Sequence, residues 1–216
     1  MNERIRLRLQ GLTNSQIQAG AYALILAEEN GKCRIPVIIG TAEAQSIAIA
    51  LEHINPPRPL THDLFISFAQ SFGIQLLEVL IYRFEDGVFY SEILFSDGKD
   101  NVRIDSRTSD AIALAIRVNC PIYTTPQILK ECGVEMDKNE KKEDGEEPMV
   151  SADDYLLNME PEEIKDPEQL KRWLSLLDEE ELDERLEDAV NDEKYEFAKM
   201  YRDEINRRKD KNITEK

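Results

Sequence analysis

The sequence predicts an α+β domain, with a mixed or antiparallel sheet and buried helices, followed by an all-helical C-terminal extension. Three observations carry that expectation. Short runs of strict apolar and polar alternation, separated by glycine-bearing turns, dominate the first half of the chain, which is the period of half-buried strands. Two helical stretches, after Gly40 and after Arg107, have bodies so apolar that almost no solvent face is left; they must be core elements. The charge balance then shifts, because residues 1–132 hold 12 basic and 15 acidic side chains and residues 133–216 hold 15 and 29, within a net charge of −17.

Taken in order, Arg4–Leu9 alternates, with Ile5, Leu7 and Leu9 on one face and Arg4, Arg6 and Arg8 on the other. The arginine row reads as a solvated strand face that is able to meet phosphate. Residues 21–28 and 33–39 flank Glu29-Asn30-Gly31-Lys32 as a hairpin, and Pro36, which lacks a ladder donor, places its strand at an edge or a bulge. Thr41 is expected to cap a helix running to His53 with Glu43 in its first turn. Pro56, Pro57 and Pro59 stiffen the next connection. Thr61 then caps a helix from His62 to about Phe72, with Asp63 in its first turn, Leu64, Phe65, Phe68 and Phe72 inward, and Gly73 at its end. Strands follow over 75–84, 88–95 and 102–105, joined by turns at Glu85-Asp86-Gly87 and Ser96-Asp97-Gly98-Lys99. The second apolar helix reaches Val118 with Arg117 as its one polar body residue. Thr108 or Ser109 would cap it, Asp110 would face its dipole, and Asn119 and Pro121 would stop it. One short helix within 123–132 completes the domain.

Residues 133–150 are expected to be an acidic flexible linker, since Asp137–Pro148 contains only Lys, Glu, Asp, Asn, Gly and Pro. A helical connector (151–178) follows, started by Asp166-Pro167-Glu168-Gln169 and carrying Leu170, Trp173, Leu174 and Leu177 at helical spacing. Leu182, Leu186, Ala189 and Val190, then Tyr195, Ala198, Tyr201, Arg202 and Ile205, give two stripes of a helical hairpin over 179–209, with a disordered tail at 210–216. Alone, such a hairpin buries too little to be stable, so it wants a second copy or another protein.

Cys33, Cys120 and Cys132 are odd in number and share no zinc-type spacing, which points to a reducing compartment. The charged, alternating start lacks the apolar block of a signal peptide or membrane span; the expectation is a soluble cytoplasmic protein with no membrane partner. The acidic total opposes nonspecific attraction to nucleic acid, so any such role needs a local patch.

Several blocks in order resemble the bifunctional nuclease (BFN) domain family: Gly20-Ala21-Tyr22-Ala23-Leu24, Ile35-Pro36-Val37-Ile38-Ile39-Gly40, Glu43-Ala44-Gln45-Ser46-Ile47-Ala48, Pro57-Arg58-Pro59-Leu60-Thr61-His62-Asp63-Leu64 and Asp105 through Ala115. The resemblance covers roughly residues 3–132 and implies a compact, often oligomeric α+β domain with nuclease activity on RNA and DNA. Leu182–Arg207, above all Tyr195-Glu196-Phe197-Ala198 and Arg202-Asp203-Glu204-Ile205, is similar to the UVR motif, a helical hairpin that couples proteins. Lys199 and Tyr201 depart from its usual alanine and leucine.

Phosphodiester cleavage needs an activated water and stabilised phosphorane charge, commonly with Mg²⁺ or Mn²⁺ held by carboxylates. The candidate catalytic residues are His62 as base with Asp63, Asp105 and Arg107. Arg58, Ser106 and Asp110 are candidates for substrate binding, and Glu43, Glu52 and Asp105 for the metal. This site requires the proline-stiffened segment and the turn before the second apolar helix to share one hollow. The bland alternative makes Asp63 and Asp110 dipole partners and Asp105–Arg107 an internal ion pair. It leaves a non-enzymatic, oligomeric module that binds a small ligand or nucleic acid.

Overall fold

A computed structural model describes residues 3–15, 20–135 and 152–214, with side chains to 210. The chain divides into two compact units, Met1–Ala152 and Asp153–Lys216. The first contains β1 (Ile5–Asn14), β2 (Tyr22–Glu28), β3 (Cys33–Ile39), α1 (Thr41–Leu51), α2 (Thr61–Ser71), β4 (Gln75–Glu85), β5 (Val88–Ser96), β6 (Asn101–Arg107), α3 (Thr108–Val118), β7 (Ile122–Thr124), α4 (Pro126–Cys132) and β8 (Val134–Glu135).

The strands form one sheet in the order β6-β5-β4-β7-β1-β2-β3-β8. All neighbours are antiparallel except β4 and β7, so the sheet is mixed and the fold is α+β. The register lines up Leu7, Ile122, Val79, Ile93 and Ile104 in one row across five strands. Leu7, Val79, Ile93 and Ile122 are buried in the same core as Ala111, Ile112 and Leu114 of α3, so this face carries the helices. The adjacent row, Arg6, Tyr123, Leu80, Glu92 and Asp105, points the other way. On that outer face Arg4 pairs with Glu78, Arg6 with Glu29, and Arg103 with Glu78 and Glu92, while Arg8 is exposed and makes no polar contact among the described residues.

Several local expectations are corrected. The N-caps are Gly40, Leu60 and Arg107, without side-chain caps. Thr41 instead donates to the Gly20 carbonyl, and Thr108 is buried against Ser91 and the Phe89 carbonyl. Leu64, Phe65, Phe68 and Phe72 do not point inward; they are 61, 43, 59 and 69% exposed. The cause is the polar side of α2, where Asp63 and His62 bond to Arg117 and Asp110 of α3 and so turn the aromatic face out. β7 is not among the elements the sequence predicts, and Val134–Glu135 pairs with β3 inside the expected linker; residues 136–150 of that linker lie outside the described residues. Asn119 does end α3 in the left-handed conformation, with φ 54°.

The boundary between the units falls inside α5 (Ala152–Leu157). A 3₁₀ turn (Pro161–Glu163), α6 (Pro167–Leu176), α7 (Glu179–Asn191) and α8 (Tyr195–Thr214) complete the second unit. Leu182 and Ala189 of α7 and Ala198 and Tyr201 of α8 are buried, while Val190 and Tyr195 are 44 and 67% exposed. Fully buried Trp173 of α6 lies 6.2 Å from Tyr201, and Arg208 donates to the carbonyls of Leu174 and Leu177. The α7–α8 pair therefore finds a packing partner in its own unit. Helix α8 continues to Thr214, past the end expected for the hairpin.

Candidate functional site

Three helices converge on one polar network. Arg107, at the N-terminus of α3, donates to both carboxylate oxygens of Asp110 at 2.7 and 3.1 Å and to Glu43 of α1 at 2.9 Å. Asp110 Oδ1 also faces His62 Nε2 of α2 at 3.2 Å. The other ring nitrogen of His62 lies 2.9 Å from Ser46 Oγ of α1. Arg117, 8% exposed in its side chain, donates to Asp63 at 2.6 Å and to the Ser46 carbonyl and hydroxyl. The chain Glu43–Arg107–Asp110–His62–Ser46–Arg117–Asp63 thus ties α1, α2 and α3 together.

Electrostatics follow from these contacts. Burial pushes the Asp110 carboxyl up, but the hydrogen bonds from Arg107 and His62 outweigh it and hold the group below its ordinary value. The same bond to Asp110, with Glu43 adding to it, raises the Arg107 guanidinium. Of the five N–H donors of Arg107, three are used within the network; its side chain is 67% exposed, so the remaining two face solvent.

Beside Arg107 is an open cavity of about 540 Å³. Its polar wall includes Gly40, Glu43, Arg107, Thr108, Ser109 and Glu131, and the uncapped N-termini of α1 and α3 meet there. Its apolar wall includes Val37, Phe84, Val88 and Phe89, the two phenyl rings packing at 4.6 Å. The lining comes from β3 and from the β4–β5 hairpin, which lie far apart in strand order, so the sheet must curve around α3. Among the described residues nothing bonds the Ser109 hydroxyl, although Ser109 is only 9% exposed.

Of the sequence candidates, His62, Asp63, Arg107, Asp110 and Glu43 are brought into the network. Asp105 is not: it lies on the outer sheet face and accepts from Tyr82. Ser106 bonds the Arg107 carbonyl, Arg58 is exposed and makes no polar contact among the described residues, and Glu52 is at the C-terminus of α1. The expected hollow shared by Arg58, His62, Asp105 and Arg107 is therefore not formed. Sequence reasoning missed Ser46 and Arg117; the lone arginine in an apolar helix body was the available signal for a buried ion pair.

The carboxylates do not fit a bound Mg²⁺ or Mn²⁺. Glu43 and Asp110 are occupied by Arg107, Glu52 and Asp105 are elsewhere, and among the described residues no group of three or more His, Cys, Asp or Glu could hold a metal.

These features define an α+β domain with a charged interhelical network whose Glu43–Arg107 end lines a half-apolar cavity. A family profile described as the bifunctional nuclease domain matches residues 24–137, and the chain belongs to that family. It is 34% identical over 163 residues to an "Uncharacterized protein" of Mycobacterium tuberculosis strain H37Rv, covering 74% of this chain and 97% of that one. It is 24% identical over 119 residues to "Bifunctional nuclease 1" of Oryza sativa subsp. indica, covering 53% of this chain and 36% of the rice protein. Among the described residues no helix is long and apolar enough to cross a membrane.

Proposed function

We propose that the first unit hydrolyses phosphodiester bonds in RNA and DNA at the rim of the cavity beside Arg107. The observation that supports this reading is the His62–Asp110–Arg107 arrangement, an imidazole and a guanidinium oriented by one carboxylate. Water attacks phosphorus as the bridging P–O bond breaks; His62 takes the proton of the water, and the leaving oxygen on the opposite side takes its proton from solvent. The two uncommitted N–H groups of Arg107 hold non-bridging oxygens, and the Phe84–Phe89 wall supports a base. Both ring nitrogens of His62 are engaged, so the attacking water must take the place of the Ser46 hydroxyl at Nδ1.

That engagement, together with the balancing of Arg107 by Glu43 and Asp110, also favours a second reading: a non-enzymatic module that binds nucleic acid or a small ligand. In either reading α7–α8 serves as a UVR-like coupling arm, and the chain works as a homo-oligomer in the cytoplasm. Val190 and Tyr195, left exposed on the α7–α8 pair, support the coupling arm, and three free thiols support the location.

The test is cleavage of end-labelled single-stranded RNA and DNA with Mg²⁺, Mn²⁺ or chelator. His62→Ala is expected to slow hydrolysis by about 10²–10⁴-fold. Equal rates for parent and variant would remove His62 from the mechanism. Salt-sensitive binding without turnover in any metal would select the second reading.

A further inference from the structure

Among the described residues strand β6 ends the sheet, so one of its backbone edges has no described strand beside it. Its helix-side residues Val102 and Ile104 are 55 and 48% exposed although their register partners on β5, Phe95 and Ile93, are buried. Phe65 of α2 packs on Phe95 at 6.0 Å, so the outward face of α2 adjoins the exposed side of β6. Leu64, Phe65, Phe68 and Phe72 with Val102 and Ile104 then form one apolar strip. At about 150–250 Å² for a large side chain, their exposed fractions leave on the order of 600 Å² uncovered. That is the upper limit of the largest patch on a typical monomer, roughly 300–600 Å², and close to the ~800 Å² that each partner buries in a standard interface.

We infer that a second copy of this chain covers the strip, with β6 pairing antiparallel to its own copy about a two-fold axis at Ile104. The inference rests on the homo-oligomer reading and is independent of the nuclease chemistry. Among the registers centred on Arg103, Ile104 or Asp105, charge selects the middle one. Centred on Ile104, the pairing sets Arg103 opposite Asp105 of the second copy, twice, and Ile104 against itself. A register centred on Arg103 or Asp105 sets like charges face to face, which is unfavourable. Charged side chains ordinarily protect an edge strand from strangers; here their order is self-complementary. Among the described residues Asp105 accepts only the Tyr82 hydroxyl, at 3.2 Å, so it retains acceptor sites for a second cation. The three cysteines are all off the β6 edge, which leaves it free for a reporter thiol.

The experiment is oxidative cross-linking of full-length Ile104→Cys with diamide, alongside sedimentation of the parent chain at tens of micromolar. Directly opposed antiparallel residues have Cα atoms about 4.5–5.5 Å apart, within disulfide reach. Ile104→Cys is expected to form disulfide dimers at least ten times faster than Val102→Cys, whose partner in this register is Ser106. The exposed pair Phe68→Ser/Phe72→Ser is expected to weaken self-association at least tenfold while the circular dichroism spectrum is retained. A monomeric parent chain overturns both this interface and the homo-oligomer reading. An oligomer in which Ile104→Cys cross-links no faster than Val102→Cys, or in which the serine pair changes nothing, overturns the interface alone.

Discussion

His62 Nε2 stands 3.2 Å from Asp110 Oδ1, joining α2 to α3 across 48 positions of sequence. Because the same oxygen also accepts from Arg107 at 3.1 Å, the orientation of the ring and the folding of the helix layer depend on one carboxylate.

Asp110→Asn should therefore lower stability at pH 7 by about 1–3 kcal/mol, the scale of hydrogen bonds to charged groups. The folded carboxyl titrates below its ordinary value. Its contribution is complete above the unfolded value near 3.9 and fades as the pH falls through the lower folded one. Urea unfolding of parent and variant should differ at pH 7 and converge as the pH falls through 4 and below. A gap that widened on acidification would contradict this.

Arg117 is the least exposed cation of the network, at 8%. Arg117→Met leaves Asp63 without its cation, with only the Leu60 N–H still bonded to it, and should cost roughly 3 kcal/mol, whereas Arg117→Met with Asp63→Asn should recover part of that loss. A double-mutant cycle on the full chain checks the pair.

Since Glu43 and Asp110 are held by Arg107, 10 mM Mg²⁺ or Mn²⁺ (about the top of the usual assay range) should not raise the melting temperature. A resident site with Kd near 0.1 mM would add about 2.7 kcal/mol at a hundredfold excess, which a thermal scan would show plainly.

Trp173 is the single tryptophan and is fully buried in the second unit. Its emission should be blue-shifted and should report the unfolding of that unit alone. Replacing it with alanine should cost about 3–5 kcal/mol, seen as loss of helical circular dichroism at lower urea.

The α+β class, the left-handed stop at Asn119 and the acidic first turns were legible because local patterns determine them. Asp105 shows what was not. Alternation along β6 puts it with Arg103 rather than with Ile104, and that parity separates it from His62 whatever its neighbours in sequence suggest. The aromatic spacing of α2 gave a helix but not its rotation, which is decided by Asp63 and His62 bonding to residues 54 and 48 positions away. β7 was hidden because three residues carry too short a period to register.

β7 has one more consequence, for the order of assembly. It sits between β1 from the start of the chain and β4 from its middle, so the two halves of the sheet stay separate until residue 124 has been made. A nascent chain emerging from the ribosome must hold the β7-facing edges of β1 and β4 unpaired throughout that interval. The domain should consequently acquire protease resistance late and in one step, after the last central strand slots in.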